Sequence, residues 1–200
     1  MRRCLLLLLV LALGVSPAVA QPKKLLDTKG WGKLTGRVTF DGDLPAVVDL
    51  VPDMAKHPNK TTCLAAPAEQ KVKQDWVIDK KTRGVANVFV WIKPPQGTYF
   101  PILDADKTRK DTVTIDHPFC TFVPHAAAAF PHYFDGAKYV RTGQKFVLKN
   151  SAPLVHCVLG NTNPLRNESF NLVIKPGAHS ERALNAQPLP ITLGSPSTPG

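Results

Sequence analysis

Proline is the feature of this sequence that most restricts the fold of the chain. Nineteen prolines are spread over 200 residues, and a proline inside a helix removes a backbone hydrogen bond and clashes with the preceding turn. Turns and strand ends accept proline, so the pattern disfavours long helices and favours short strands. We predict one all-β domain, an antiparallel Greek-key β-sandwich over residues 21–193, followed by a disordered polar tail, residues 194–200.

Apolar alternation and β-branched residues mark the predicted strands. The strongest is residues 87–93, which is apolar on both faces and is therefore expected in the middle of the sandwich. Between residues 44 and 75 the sequence favours one short helix around Cys63. The other predicted strands are residues 33–40, 75–79, 112–115, 121–123, 145–149, 154–159, 171–175 and 190–193.

The first twenty residues predict a signal peptide. A positive start, residues 1–3, precedes an apolar run, residues 5–13, and small residues up to Ala20 supply a cleavage site before Gln21. The apolar run is shorter than the roughly 20 residues that span a bilayer, so cleavage is favoured over an uncleaved anchor. We expect a periplasmic or secreted protein without stable membrane insertion.

The charge of the chain bears on its partners. The formal net charge is +10, and removal of the first twenty residues, with two arginines and no acidic residue, leaves +8. The basic residues are dispersed and are not interleaved with aromatic residues, so nucleic-acid binding is not expected. A basic surface favours an anionic partner such as an acidic redox protein, with plain solubility as the simpler interpretation. The oligomeric state stays open.

Three cysteines follow the predicted signal peptide, namely Cys63, Cys120 and Cys157. An oxidising compartment favours one disulfide and one remaining thiol, although the residues alone leave the pairing open and three free thiols are the alternative. We favour a Cys63–Cys120 bridge, which closes a loop of 58 residues around an apolar-poor region and stabilises by roughly 4 kcal/mol. Cys157 is then expected to be a small buried side chain.

One histidine stands at the start of a predicted strand. An Asn-Ser-Ala-Pro turn, residues 150–153, separates two apolar segments, and His156 follows it between apolar neighbours. Because side chains alternate along a strand, His156 and Cys157 are predicted on opposite faces and cannot bind one ion without a bulge. His156 is therefore a candidate metal ligand, with a hydrogen-bonded core histidine as the alternative.

The turn followed by His156 resembles the segment of plastocyanin- and azurin-like cupredoxins that carries their first copper-ligand histidine. Residues 116–125, Asp-His-Pro-Phe-Cys-Thr-Phe-Val-Pro-His, and residues 34–42 are similar to exported plastocyanin-like proteins of the methylamine-utilization-like group. The resemblance covers residues 30–193. It implies a cupredoxin-like fold, copper as cofactor, electron transfer as function, and His156 as a metal ligand.

The resemblance also sets an expectation for the end of the chain. A blue copper site uses two imidazoles, one thiolate and a weak axial thioether, and the family takes three of these from one C-terminal Cys-His-Met loop. After Leu193 this sequence continues as Gly-Ser-Pro-Ser-Thr-Pro-Gly. We therefore expect a C-terminally truncated fold with an incomplete copper site and impaired electron transfer. The alternative is a metal-free exported β-sandwich with an interaction or structural role.

The remaining candidate ligands are His117, His125, His132 and the thiol of Cys157, since histidine and thiolate suit copper or zinc. Surface or structural roles are expected for His125 and His132. His117 lies in a polar loop, as His57 and His179 do, and gives no functional indication. No nucleophile elbow, phosphate loop or zinc-protease motif occurs, so no catalytic residue is assigned and an enzyme is not expected.

Overall fold

A computed structural model describes residues 22–196 of the chain, which are built mainly from short strands. The predicted signal peptide and residues 197–200 of the predicted tail lie outside this range. The elements are β1 (Lys24–Leu25), α1 (Val51–Lys56), α2 (Lys60–Leu64), β2 (Thr98–Tyr99), α3 (Asp104–Lys107), β3 (Thr112–Asp116), β4 (His132–Phe134), β5 (Tyr139–Arg141), β6 (Lys145–Lys149), β7 (His156–Asn161), β8 (Phe170–Ile174), β9 (His179–Arg182) and β10 (Thr192–Gly194). Among these residues no helix has the length and apolar character needed to cross a bilayer.

Two three-stranded sheets contain most of the strands. The first has the order β3–β6–β9, with β3 parallel to β6 and β9 antiparallel to it. The second has the order β10–β7–β8 and is antiparallel throughout. The prediction of a purely antiparallel arrangement is wrong for the β3–β6 pair and also for β1 and β2, which pair in parallel. Parallel neighbours require a long crossover, and residues 117–144 supply it between β3 and β6.

The two sheets contribute to a common apolar core. Ile115 and Leu148 come from the first sheet, and Val158 and Ile174 come from the second. Each of these four side chains is buried, because alternate residues of a strand point to the same face. Partly buried aromatic side chains, among them Phe122, pack against this cluster. The β-rich class predicted from the sequence is therefore confirmed.

A second, smaller cluster surrounds the disulfide. Cys63 on α2 is bonded to Cys120 with a Cα–Cα distance of 5.1 Å, and both cysteines pack with Leu50 and Met54. The predicted pairing of Cys63 with Cys120 is confirmed, as is a short helix around Cys63. Cys157 carries a free thiol. Its side chain is half-buried, whereas the sequence predicts a buried one.

Residues 87–93 do not form the central strand that their composition predicts. The segment is irregular, it begins with Asn87 at a φ of 58°, and Val90, Trp91 and Ile92 are about 70 % exposed (72 %, 68 % and 74 %). Intrinsic β preference is realised only where a neighbouring strand offers backbone partners, and none of the described strands pairs with this segment. The predicted strand 33–40 is likewise reduced to one bridge, between Thr39 and Gly84.

Candidate metal site

His156 is the first residue of β7 and points into the core. Along this strand His156, Val158 and Gly160 are buried, whereas Cys157 is half-buried and Leu159 is exposed. The predicted alternation is confirmed, and it separates the Cys157 thiol from the face that carries the imidazole. The His156 side chain has no exposed surface.

Asn150 fixes the turn that leads into His156. Its buried side-chain amide donates hydrogen bonds to the carbonyl oxygens of Leu154 and Ile174, both at 2.8 Å. Its side-chain oxygen accepts a hydrogen bond from the backbone N–H of Ala152 at 3.0 Å. Since these bonds close the turn and tie it to the end of β8, they determine where His156 enters the core.

His117 follows β3 and reaches the same place from the other sheet. Its backbone N–H donates to the carbonyl of Lys149 at 2.9 Å, and its own carbonyl accepts from Ala152 at 3.2 Å. Asp116 and Val123 exchange two backbone hydrogen bonds of 2.8 Å, which close the intervening loop. The sequence-based interpretation of His117 as a polar-loop residue is wrong, because its side chain is only 1 % exposed.

Asp116 holds the two histidine-bearing segments together. Its carboxylate accepts hydrogen bonds from the backbone N–H of His117 at 2.8 Å and from the backbone N–H and hydroxyl of Ser151 at 3.0 and 2.7 Å. The Lys149 ammonium lies 3.4 Å away. Partial burial raises the pKa of Asp116, but these bonds and this cation outweigh it and lower the pKa below its ordinary value. The carboxylate therefore stays ionised and keeps the clamp closed.

The two imidazoles stack on each other. The ring centroids of His117 and His156 are 3.5 Å apart and the ring planes differ by 21°, and the Phe122 ring packs on His117 at a tilt of 30° with the centroids 4.4 Å apart. None of the four ring nitrogens has a hydrogen-bond partner among the residues described. A neutral imidazole carries one donor and one acceptor, and each buried polar group without a partner costs about 1–3 kcal/mol. Such an arrangement points to a ligand for the nitrogens.

Both imidazoles are neutral near pH 7. Burial lowers the pKa of His117 to about 3, assisted by His156, while the main chain of Cys120 and the Asp116 carboxylate act in the opposite direction. Burial also lowers the pKa of His156, against a smaller opposing effect from the main chain of Phe119. The neutral imidazole is the form that coordinates metal ions.

The lowered pKa of His117 predicts that the metal-free protein loses stability in mild acid. The unfolded chain binds a proton as the pH falls below 6.5, whereas the folded chain resists protonation until about 3. Stability is therefore full above the unfolded pKa and is lost between these two values. We expect His117 alone to remove about 1.4 kcal/mol from the free energy of unfolding per pH unit within this window.

Urea unfolding of the metal-free protein at a series of pH values measures this slope. The His117→Phe variant should show a flatter dependence, because the added ring stacks on Phe122 but does not titrate. His179→Gln, at an exposed histidine of β9, is the control. An equal slope in the wild type and in His117→Phe would contradict the assignment.

The other candidate ligands do not join this pair. His125 and His179 are exposed, and His132 is half-buried on β4. Cys120 has its sulfur in the disulfide. Within residues 22–196 no three His, Cys, Asp or Glu side chains cluster in a way that could hold a metal ion. The site described here consists of two imidazoles.

The alternation of side chains along β3 indicates that His117 points inward, although its polar surroundings in the sequence predict a loop residue. In β3 the odd-numbered residues Val113 and Ile115 point inward, and continuing the period of two past the strand end places His117 on the same face. Comparison of the chain with protein-family models, with curated proteins and with solved structures finds no match.

Proposed function

We propose that this chain is an exported cupredoxin-like protein that binds copper through His117 and His156 and that its role is electron transfer. One observation supports the proposal above the others: two stacked, buried, neutral imidazoles whose ring nitrogens are all without hydrogen-bond partners in the described part of the chain. We further propose that the two three-stranded sheets are the layers of a Greek-key β-sandwich of the cupredoxin kind. Export agrees with the disulfide, which persists in oxidising compartments.

The two rings lie close together, but two nitrogens can share one ion only if the rings turn out of their stacked arrangement. Imidazole nitrogens lie about 2.0–2.1 Å from a bound metal, so two of them at a tetrahedral angle are roughly 3.3 Å apart. The ring centroids of His117 and His156 are 3.5 Å apart and the ring planes differ by 21°, so a rotation of each side chain is needed to direct one nitrogen of each ring at a common ion. The second nitrogen of a metal-bound histidine usually donates to a carbonyl, and the main chain of Cys120 and of Phe119 lies near the two rings, since it raises their pKa values.

The chain itself positions the two imidazoles and keeps water away from them. Asn150 and Asp116 hold the two histidine-bearing segments in place, and Phe122 covers one imidazole, so water is excluded and the nitrogens are held in one orientation. Copper, when bound, supplies one-electron redox chemistry, for which imidazole is a suitable ligand. The proposal assigns two nitrogen ligands, which are an incomplete blue copper ligand set, so impaired electron transfer is expected.

Copper titration of the folded, exported protein tests the proposal. We expect one Cu(II) per chain, with electron paramagnetic resonance showing coupling to two nitrogens. Loss of an imidazole that binds the metal lowers metal affinity more than loss of a residue that only hydrogen-bonds to a ligand. His156→Leu and His117→Phe should therefore each weaken copper binding by at least about 100-fold. His179→Gln is the matched control, since it removes an exposed histidine from β9.

Two outcomes would reject the copper site. Either the wild-type protein binds no copper while circular dichroism shows it folded, or the double variant of His117 and His156 binds as tightly as the wild type. A cooperative thermal unfolding transition in each variant shows that the variant is folded. Weaker copper binding by a folded variant is then due to loss of the ligand and not to loss of the fold.

The partner proposed for this function is an anionic redox protein. The formal net charge is +10 at pH 7 for the whole chain and +8 without the first twenty residues, and a charge of this size accelerates encounter with an acidic surface at low ionic strength. Association with such a partner should weaken as salt is added, because screening shortens the range of the attraction.

A metal-free role in binding another macromolecule is the second candidate function. It is favoured by the apolar segment Val88–Ile92, whose side chains are 42–74 % exposed. A contiguous exposed apolar stretch of this kind is typical of an interaction surface. Under this alternative the copper titration shows no stoichiometric binding, and substitution of His156 affects stability alone.

A further inference from the structure

Three aromatic rings form a group that shares no residue with the two buried histidines. Tyr99 ends β2, Phe134 ends β4 and Tyr139 begins β5. Phe134 is the central ring, since the centroid of Tyr99 lies 5.0 Å from it and that of Tyr139 lies 5.3 Å from it, both edge to face. We call these three residues the aromatic cage.

The cage already holds a cation. The Lys23 ammonium lies 4.8 Å from the ring centroid of Phe134 and 5.1 Å from that of Tyr139, both within the roughly 6 Å range of cation–π attraction. The same ammonium donates a hydrogen bond of 3.0 Å to the Tyr139 hydroxyl. A lysine bound by two ring faces and one hydroxyl shows that the cage has the electrostatic character of a cation site.

The walls of the cage are set by backbone contacts. Phe134 and Tyr139 are directly paired across the β4–β5 hairpin, whose turn is closed by the Asp135 carboxylate accepting from the backbone N–H of Ala137 and Lys138 at 2.8 Å. Gly136 lies against the third wall, because a Cβ at this position would lie 2.8 Å from the Tyr99 hydroxyl oxygen. Phe134 and Tyr139 are therefore held in place without the Lys23 side chain.

The segment that delivers Lys23 is held less extensively. β1 has two residues and pairs with β2 through backbone hydrogen bonds from Lys24 to Gly97 at 2.8 Å and from Leu26 to Tyr99 at 2.9 Å. Tyr139 remains half exposed and Lys23 is exposed. Because the Lys23 side chain is exposed and lies just before β1, it can leave the rings by rotating away while β1 stays paired with β2.

We propose that the aromatic cage is a binding site for a small quaternary ammonium group of the choline type and that Lys23 is its built-in competitor. Quaternary ammonium ions bind to aromatic faces because the ring quadrupole attracts them and their methyl groups are weakly hydrated. The adjoining cavity of about 200 Å³ includes Lys23, Tyr99, Phe134 and Tyr139 in its lining. That volume is below the roughly 300–1,000 Å³ of drug-sized sites, so a compact headgroup is the size of ligand that fits it.

Titration with tetramethylammonium chloride tests the site, with sodium chloride at the same ionic strength as the reference. The readout is the chemical shift of the ring protons of Phe134 and Tyr139. The Lys23→Ala variant, which empties the cage, should bind tetramethylammonium about fivefold or more tightly than the wild type. Lys24→Ala is the matched control, since Lys24 contributes backbone hydrogen bonds to β2 and none of the described cation–π contacts.

A Phe134→Leu change in the Lys23→Ala background should abolish binding, because it removes the central ring and keeps an apolar side chain. Absence of binding to folded Lys23→Ala would overturn the cage as a cation site. Equal affinity of wild type and Lys23→Ala would overturn the role of Lys23 as competitor. Undiminished binding by the Phe134→Leu double variant would place the cation elsewhere and also reject the proposal.

Discussion

Reduction of the Cys63–Cys120 disulfide is expected to lower the free energy of unfolding by about 4 kcal/mol. The two cysteines are 57 positions apart, and a cross-link over so long a loop removes much of the conformational entropy of the unfolded chain. The apolar cluster around the bridge is small, with Leu50 and Met54 as its other buried members, so little else compensates. Typical domains have only about 5–15 kcal/mol of total stability.

Urea unfolding of the oxidised and reduced protein in a Cys157→Ser background measures this difference without thiol exchange. Cys157→Ser by itself is the control and should shift the free energy of unfolding by less than about 1 kcal/mol, because Cys157 is half-buried and unbonded. Equal stability of the oxidised and reduced forms would show that the bridge has no such constraining effect.

The bridge also bears on the histidine pair. Cys120 belongs to the loop that begins at His117 and closes at Val123, so the disulfide restricts the segment that positions one imidazole. On reduction the ring-current shifts that the stacked rings impose on each other should diminish, which one-dimensional proton spectra of the imidazoles can follow. Unchanged imidazole shifts would show that the backbone hydrogen bonds alone hold the loop.

Replacement of Asn150 by alanine is expected to destabilise the protein by about 3 kcal/mol or more. The change leaves the carbonyls of Leu154 and Ile174 and the N–H of Ala152 without their side-chain partner. Asn150 has no exposed surface, so water does not readily replace the lost bonds, and the two carbonyls bear a desolvation penalty while the Ala152 N–H keeps its bond to the His117 carbonyl. The turn that leads into His156 should loosen at the same time.

Chemical denaturation of Asn150→Ala beside Asn171→Ala checks the prediction. Asn171 is exposed on β8, and its replacement should change stability by no more than about 0.5 kcal/mol. Asn150→Asp keeps the acceptor for Ala152 but removes both donors and buries a carboxyl group, so it should be at least as unstable as Asn150→Ala. A stable Asn150→Asp protein would contradict the role assigned to the amide.

The strands that the sequence predicts best are those with one buried and one exposed face. β6 has the predicted bounds, residues 145–149, and β3, β7, β8 and β10 each lie within two residues of a predicted segment. In these strands the period of two in the sequence is the period of burial itself. The pattern therefore predicts both the strand and the face that enters the core.

Local pattern fails where pairing depends on distant residues. Residues 87–93 have the composition of a central strand yet remain unpaired, while β4 and β9 contain His132 and His179 and were not predicted from their polar sequences. β9 forms a strand because it pairs with β6, which lies far from it in the sequence. The intrinsic β propensity of a segment does not depend on such distant residues, so it cannot predict this pairing.

The sequence by itself determines the β-rich class, the availability of a disulfide and the inward direction of His156, since each follows from local composition or alternation. Only the tertiary structure decides that His117 stacks on His156. His117 follows β3 of one sheet and His156 begins β7 of the other, and they meet because β3 runs parallel beside β6 while the Asn150 turn carries the chain into β7. Contact between residues so far apart in the chain is set by non-local pairing, which no single segment encodes.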